Sequence, residues 1–351
     1  MKWRRGGLAI AVFVTLGAAF PSSVLWSRLE LLPSMADEQW LAEKSDIIFK
    51  GSVTKVESDP NSPYVHEWGP VGAKPLNFYF VAAFRVDRVY RGKVPEEPVL
   101  HFEADDCILF QPGENRVVFA NIRQGKMTLA EECVGALGVS PLLGPKLEGA
   151  DWSMQMEADF IAGLGDTDPA ARILSLQRLG GLQLASSRPA IRREIEQSEG
   201  EERKWAVCAA LRTGDTTVMP LVKDYLAATG ERGTHKGVMC FGLRNIKDPA
   251  AVPDLLNIFA NARDDATKEN VLVALVDNIG DPRTIPALGE SLSSTNDQIL
   301  YLAVTGLGKI AHANACKISD ADDDKTPFRQ KVVACKAWWD ASGSHEDWNQ
   351  Q

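Results

Sequence analysis

A fixed spacing constrains this chain more than any single residue does. Pro220, Pro253 and Pro286 lie 33 residues apart, and Asp215, Asp248 and Asp281 keep the same interval. The apolar register follows it. Met219, Val222 and Leu226 map onto Val252, Leu255 and Phe259, and then onto Ile285, Leu288 and Leu292. Each set reads i, i+3, i+7, which is one face of a helix. Helical periodicity that recurs every 20–50 residues or so specifies an α-solenoid.

The proline has a physical reason to recur where it does. In the first turn of a helix it loses no hydrogen bond, because that N–H has no partner inside the helix. Pro253 therefore predicts a helix that starts just before it, and Asp248-Pro249 becomes the turn that precedes that helix. An Asp there can cap exposed N–H groups. Asp281-Pro282 repeats the arrangement, and Asp215-Thr216 does so without its proline. Leading helices are expected near 200–213, 232–246 and 265–279, with Met239, Leu243 and Ile246 matching Leu272, Val276 and Ile279. Ala303, Leu307 and Ile310 continue the stripe, and Asp168-Pro169 opens the first pair. About five helix pairs follow, in a unit spanning 151–345, with a capping helix over Phe328–Ala341 that carries Trp338 and Trp339.

A chain of 351 residues is long for one core, so a second folded unit is expected. From Trp40 to Leu147 the period becomes strand-like. Phe78, Phe80, Ala82, Phe84 and Val86 point one way and their neighbours the other, which predicts a strand buried on one face. Ile47–Phe49 begins an earlier strand, with a bulge or bend expected at Gly51. Val99–Glu103, Arg116–Ala120 and Lys126–Leu129 supply three more. Five short strands over residues 37–147 suggest a small closed or nearly closed barrel. Between the first two runs SDPNSPYVHEWGPVGAKP, a long Pro- and Gly-rich loop. Its Tyr64, His66 and Trp68 are candidate anchors for a protein partner; otherwise it is a solvated insertion whose Trp packs back on the barrel.

The N-terminus has the form of an export signal. Lys2, Arg4 and Arg5 precede an apolar run from Gly6 to Phe20, too short to span a bilayer comfortably. Gly17-Ala18-Ala19 offers cleavage before Phe20, and Ser34-Met35-Ala36 a second point; an uncleaved anchor is the alternative. Residues 1–36 are thus read as signal and leader, which predicts a periplasmic or extracellular protein, touching a membrane only if the segment is retained. An oxidising compartment lets the six cysteines pair. Cys107 with Cys133 and Cys316 with Cys335 are the natural local pairs. Cys208 and Cys240 either form a third bridge or stay as buried thiols.

Two resemblances add to this reading. SDIIFKGSVTKV, FRVDRVYRGKV and the segment from Cys107 through LF-PGENRVVFA to Cys133 resemble the netrin-like domain. That domain shares an OB-type barrel with tissue inhibitors of metalloproteinases. The inhibitors chelate the protease zinc through an N-terminal Cys. This chain has no Cys before Cys107, so the resemblance implies a disulfide-stapled binding barrel without that mechanism. GLRNIKDPAAVPDLL followed by DNIGDPRTIPAL is similar to short HEAT-type repeats of the phycobilisome-lyase-like class, which implies a scaffold more than a lyase.

Little in the residues points to catalysis, a metal or a cofactor. Asp320, Asp322 and Asp324 have the spacing of the first calcium ligands of an EF-hand. Lys325 stands where that loop needs Gly and Lys331 where it needs Glu, so a solvated acidic loop is expected. The histidines at 66, 101, 235, 312 and 345 have no second ligand at metal spacing. Gly306-Leu307-Gly308-Lys309 lies in a helical stripe and is read as close helix packing. The net charge of −9 argues against a nucleic-acid partner. The expectation is a non-enzymatic, cofactor-free scaffold that binds proteins, with a protease-inhibitor-like binder and then a lyase as alternatives.

Overall fold

A computed structural model describes residues 37–59, 79–103, 110–131, 134–227, 234–318 and 328–348, without the side chains of Thr234, His235, Lys236, Val238 and Cys240. The chain divides into two compact units, Met1–Arg178 and Leu179–Gln351. The first therefore holds more than a barrel.

Its first described element is helix α1 (Glu38–Glu43), whose first turn is capped by Asp37 accepting from the Trp40 N–H at 2.9 Å. Strands β1 (Ile47–Ser58), β2 (Tyr79–Arg91), β3 (Val99–Glu103), β4 (Asn115–Arg123) and β5 (Lys126–Leu129) follow. They run in the order β1-β2-β3-β5-β4, and β4 pairs back with β1 to close the barrel. The β3–β5 pair is parallel and the other pairs antiparallel, an OB-type arrangement. A short β6 (Ala136–Gly138), not foreseen from the sequence, extends the sheet beside β4. The register shifts at Lys50/Gly51, which is the bulge that Gly51 predicted.

Phe49, Phe84, Phe102 and Phe110 fill the barrel interior with Leu100, Val118 and Met127. Phe102 and Phe110 meet edge to face at 4.7 Å, a favoured aromatic geometry. Burial does not stop at the inner face. Ile48 and Lys50 of β1, Val117 and Phe119 of β4 and Leu137 of β6 are covered as well. Alternation had suggested a barrel with one wet side. The outer side is instead closed by α1, by α2 (Trp152–Gly163) and by the start of α3 (Pro169–Leu182). Glu38 of α1 pairs with Arg178 of α3 at 3.3 Å, both side chains fully buried. Arg91 donates to the Ala42 carbonyl and stacks its guanidinium 5.1 Å above the Trp152 ring.

In the second unit the helices come as leading and trailing members. The leading ones are α5 (Gly200–Arg212), α7 (Thr234–Leu243), α9 (Asp265–Val273) and α11 (Asp297–Ile310). Their trailing partners are α6 (Met219–Ala227), α8 (Val252–Asn261), α10 (Ile285–Ser291) and the terminal α12 (Phe328–Ala341); α4 (Arg188–Gln197) precedes them and packs on α5. Pro189, Pro220, Pro253 and Pro286 each occupy the second position of a trailing helix. Asp215, Asp248 and Asp281 cap the short 3-10 turns before three of them, accepting from Thr217, Ala250 and Arg283 N–H groups. The chain is thus a small β-barrel followed by an α-solenoid of about five helix pairs.

A second series at the same interval does the converse job. Asn245 donates its amide to the Arg212 carbonyl at 2.9 Å, and Asn278 donates to the Arg244 and Ile246 carbonyls. Each Asn satisfies carbonyls at the end of the preceding leading helix, so the ladder joins one repeat to the next. Asn278 lies in a π-helical segment, Ala274–Ile279, that continues α9 and ends at Gly280 in the left-handed conformation. The last repeat is closed by α12. Cys316 and Cys335 are bridged, and the Trp339 ring lies 2.0 Å from where a Cβ on Gly289 would stand. Only glycine lets that indole reach the core.

Two outcomes follow from this packing. Gly289→Ala overpacks the Trp339 contact and should lower stability by about 1–3 kcal/mol, read from the urea midpoint. Deleting 249–281, one whole period, should leave a shorter chain that keeps its helical circular dichroism, since each repeat stacks on its neighbours alone. Loss of all helical signal would contradict independent stacking.

Candidate functional site

The barrel end from which residues 60–78 emerge brings several polar groups together. Asp59 and Tyr79 flank that segment, and the Asp59 N–H donates to the Tyr79 carbonyl at 2.9 Å. Asp59 is nearly buried at 5% exposure. His101 of β3 places its Nδ1 2.9 Å from Asp59 Oδ2, and Lys126 of β5 places Nζ 3.6 Å from the same oxygen. Thr128 neighbours His101 in the β3–β5 ladder, and its buried hydroxyl has no hydrogen-bond partner among the described residues. Tyr79 donates to Glu103 at 3.3 Å beside them. Strand alternation explains the gathering: Leu100 and Phe102 face the core, so His101 faces out. The cluster is a polar anchor at the root of the segment that carries Tyr64, His66 and Trp68. Those three residues lie outside the described residues.

A second polar cluster sits deeper. Asp159 of α2 accepts from Arg88 Nη1 at 2.6 Å, from the Tyr90 hydroxyl at 2.7 Å and from the Gly144 N–H at 2.8 Å. Arg88 donates onward to the Gly144 carbonyl at 2.9 Å, and Lys50 donates to the Leu142 carbonyl. Gln155 completes the set, accepting from Leu147 N–H at 2.7 Å and donating to the Pro145 carbonyl at 2.9 Å. Residues 140–147 therefore form a strap pinned along α2. Gly144 makes the approach possible, since a Cβ there would stand 2.3 Å from the Ala158 carbonyl. Burial lowers the Lys50 pKa to about 8, against the opposing pull of Asp159 and Asp87. Burial also pushes the Tyr90 hydroxyl well up, and Asp159 adds to it. These groups serve one another, so the cluster acts as a clasp.

In the helical unit an open groove of about 320 Å³ lies among α8, α9, α10 and α11. Phe259 and Ile299 give it an apolar wall, and Asp265, Lys268 and Glu290 give it mixed charge. Asp215 illustrates how the repeat signature is used. Burial alone would raise its pKa, but hydrogen bonds from Arg192 and Thr217 outweigh that and hold it low. Arg192 meets it with two bonds, at 2.6 and 2.8 Å. The Asp281 carboxyl is likewise held low, chiefly by the Arg283 side chain.

The cysteines and acidic residues named from sequence fall unevenly. Cys316 and Cys335 are joined, Cys208 is buried in α5, and the Cys240 side chain is outside the described residues, as are Cys107 and Cys133. Asp320, Asp322 and Asp324 also lie outside. Gly306 packs against Leu288 and Val276, as close helix packing requires. Among the described residues no group of three or more His, Cys, Asp or Glu could hold a metal, and no helix is long and apolar enough to cross a membrane. Sequence reading missed Asp59, Lys126 and Thr128. They lie far from His101 along the chain, and only the strand register could have joined them.

No protein-family model and no curated protein matches the chain. Among solved structures it is similar to one chain of the CpcE–CpcF complex of phycocyanin lyase from Nostoc sp. PCC7120. The identity is 14%, the TM-score 0.21, and the match covers 52% of this chain and 99% of that one. A likeness of that size carries no argument about activity, and the solenoid rests on the helix order above.

The clasp has a pH signature. The folded chain releases the Lys50 proton near pH 8, whereas the unfolded chain keeps it to about 10.5. The unfolded state then binds more protons, so stability should rise with pH across that window, by about 1–3 kcal/mol. Tyr90 reverses the trend above pH 10, where the unfolded chain loses a phenolic proton that the folded chain keeps. Urea unfolding from just below pH 8 to just below pH 10 should show the rise, and Lys50→Met should flatten it.

Proposed function

We propose that the chain is a non-catalytic, exported scaffold that binds protein partners of the cell envelope or extracellular space. The barrel loop and the solenoid groove are its contact surfaces. One observation carries the reading. The residues that recur through the repeat, the Asp caps, the first-turn prolines and the Asn ladder, are all engaged in holding helix ends and neighbouring repeats. Open between them is a groove lined by Phe259, Lys268 and Glu290, whose apolar wall and mixed charges suit a polypeptide better than a reacting small molecule. At the other end, Asp59, His101 and Lys126 brace the root of a segment with three potential aromatic and imidazole anchors.

The basic residues and apolar run at the N-terminus support export, with membrane attachment only if that run is retained. A second reading has its own support. The closed OB-type strand order agrees with the netrin-like resemblance, so a protease-inhibitor-like binding barrel is the alternative. It would have to work without an N-terminal metal-chelating Cys. A lyase is a weaker third reading.

Cross-linking in intact cells, followed by purification of the tagged full chain, tests the scaffold. The same protein should be recovered repeatedly. Recovery should fall about tenfold or more when Tyr64, His66 and Trp68 are replaced by Ser, or when Lys268→Glu and Glu290→Lys are combined. Recovery that neither set changes would remove the proposed surfaces.

A further inference from the structure

Exposed large apolar side chains gather on one short stretch of the first unit. Met154 and Ile161 of α2 are 50% and 37% exposed, and Leu142, Leu143 and Leu147 of the strap are 39%, 43% and 36% exposed. Ala158 lies between the two helical residues, so Met154, Ala158 and Ile161 form an i, i+4, i+7 stripe along one face of α2. The strap runs beside that stripe, held by Gln155 and Asp159. Five such residues on α2 and on the strap bonded to it make apolar surface of the kind that soluble proteins cover.

The chain itself supplies a matching segment. Leu25, Leu29 and Leu32 have the same i, i+4, i+7 spacing, and Val24, Trp26 and Leu31 add further apolar surface. The α2 stripe is about 10 Å long, and leucines at that sequence spacing can match it residue for residue. Reach is sufficient. Leu32 is five residues from Asp37, the cap of α1, and five extended residues span up to about 17 Å. Helix α1 lies beside the start of α2, because Arg91 binds the Ala42 carbonyl while stacking on Trp152. Met154 is two residues further along.

We propose that the leader segment Val24–Leu32 docks its leucine stripe on the face formed by Met154, Ala158 and Ile161 with Leu143 and Leu147 of the strap. The leader is then an intramolecular cover for the barrel unit and not a spacer. The proposal uses the export reading only in requiring that residues 24–36 stay on the mature chain, which holds for cleavage before Phe20 and for an uncleaved anchor.

A photo-reactive phenylalanine analogue in place of Leu29, in the full chain as it is produced by its host, provides the test. Cross-links should map by mass spectrometry to peptides within 142–161 of the same molecule. Met154→Glu with Ile161→Glu, two exposed positions, should cut that yield about tenfold or more while circular dichroism stays unchanged. Val99 is the control surface. It is 43% exposed and lies opposite Ala83, eight strand residues or about 26 Å from Arg91. Cross-links to the strand around Val99 at equal yield would overturn the proposal. So would cross-links to a second copy, to lipid or to another protein, the absence of any cross-link, or a mature chain beginning after Leu32.

Discussion

Helix ends carry backbone N–H and C=O groups with no partner inside the helix, and the helical unit is organised around supplying those partners. Asp215, Asp248 and Asp281 accept from N–H groups at the entry to α6, α8 and α10. Asn245 and Asn278 donate to carbonyls at the exit of the leading helix before them. Each such bond contributes about 1 kcal/mol net, but leaving the buried group alone would cost more. Caps and ladder share the 33-residue interval, and Asn245 and Asn278 tie α5, α7 and α9 in succession. Ion pairs such as Lys223–Asp254 at 2.8 Å add links of the same reach. These half-exposed pairs contribute little energy beside the buried carbonyl contacts.

The barrel unit solves a different problem. Its outer wall is buried along β1, β4 and β6, so helices and strap must stay in place over it. Apolar contact is non-directional and does not specify how a strap should lie. The Lys50, Arg88, Tyr90 and Asp159 cluster does, because each of its bonds has a direction and a buried charge that loses a partner is costly. The Glu38–Arg178 pair fixes α1 to α3 in the same way. Stability is given up for a defined position. That defined position is also what leaves the Met154–Ile161 stripe facing outward.

Much of the architecture is legible in the sequence. Period 3.6 in the second half and period 2 in the first identified helices and strands, and the Pro and Asp positions located helix starts correctly. The Asn ladder is legible too, since Asn245 and Asn278 keep the repeat interval. The Asp59–His101–Lys126 cluster was not. Its members come from the residue after β1, the middle of β3 and the start of β5, and nothing local in the sequence signals that they meet. The clasp was hidden for a related reason. A lysine within an apolar strand reads as a solvent-facing residue, whereas Lys50 is covered by a strap almost a hundred residues later in the chain.

By itself, then, the sequence determined what repeats: helix length, helix starts, the spacing of caps and the division into a β-rich and an α-rich part. Those features follow from local steric and hydrogen-bonding rules that act over a few residues. Tertiary structure alone decided which strand faces were covered, which charges were buried together and which apolar side chains stayed exposed. Such choices depend on contacts between distant segments, and a period in the sequence carries no information about which distant segment arrives.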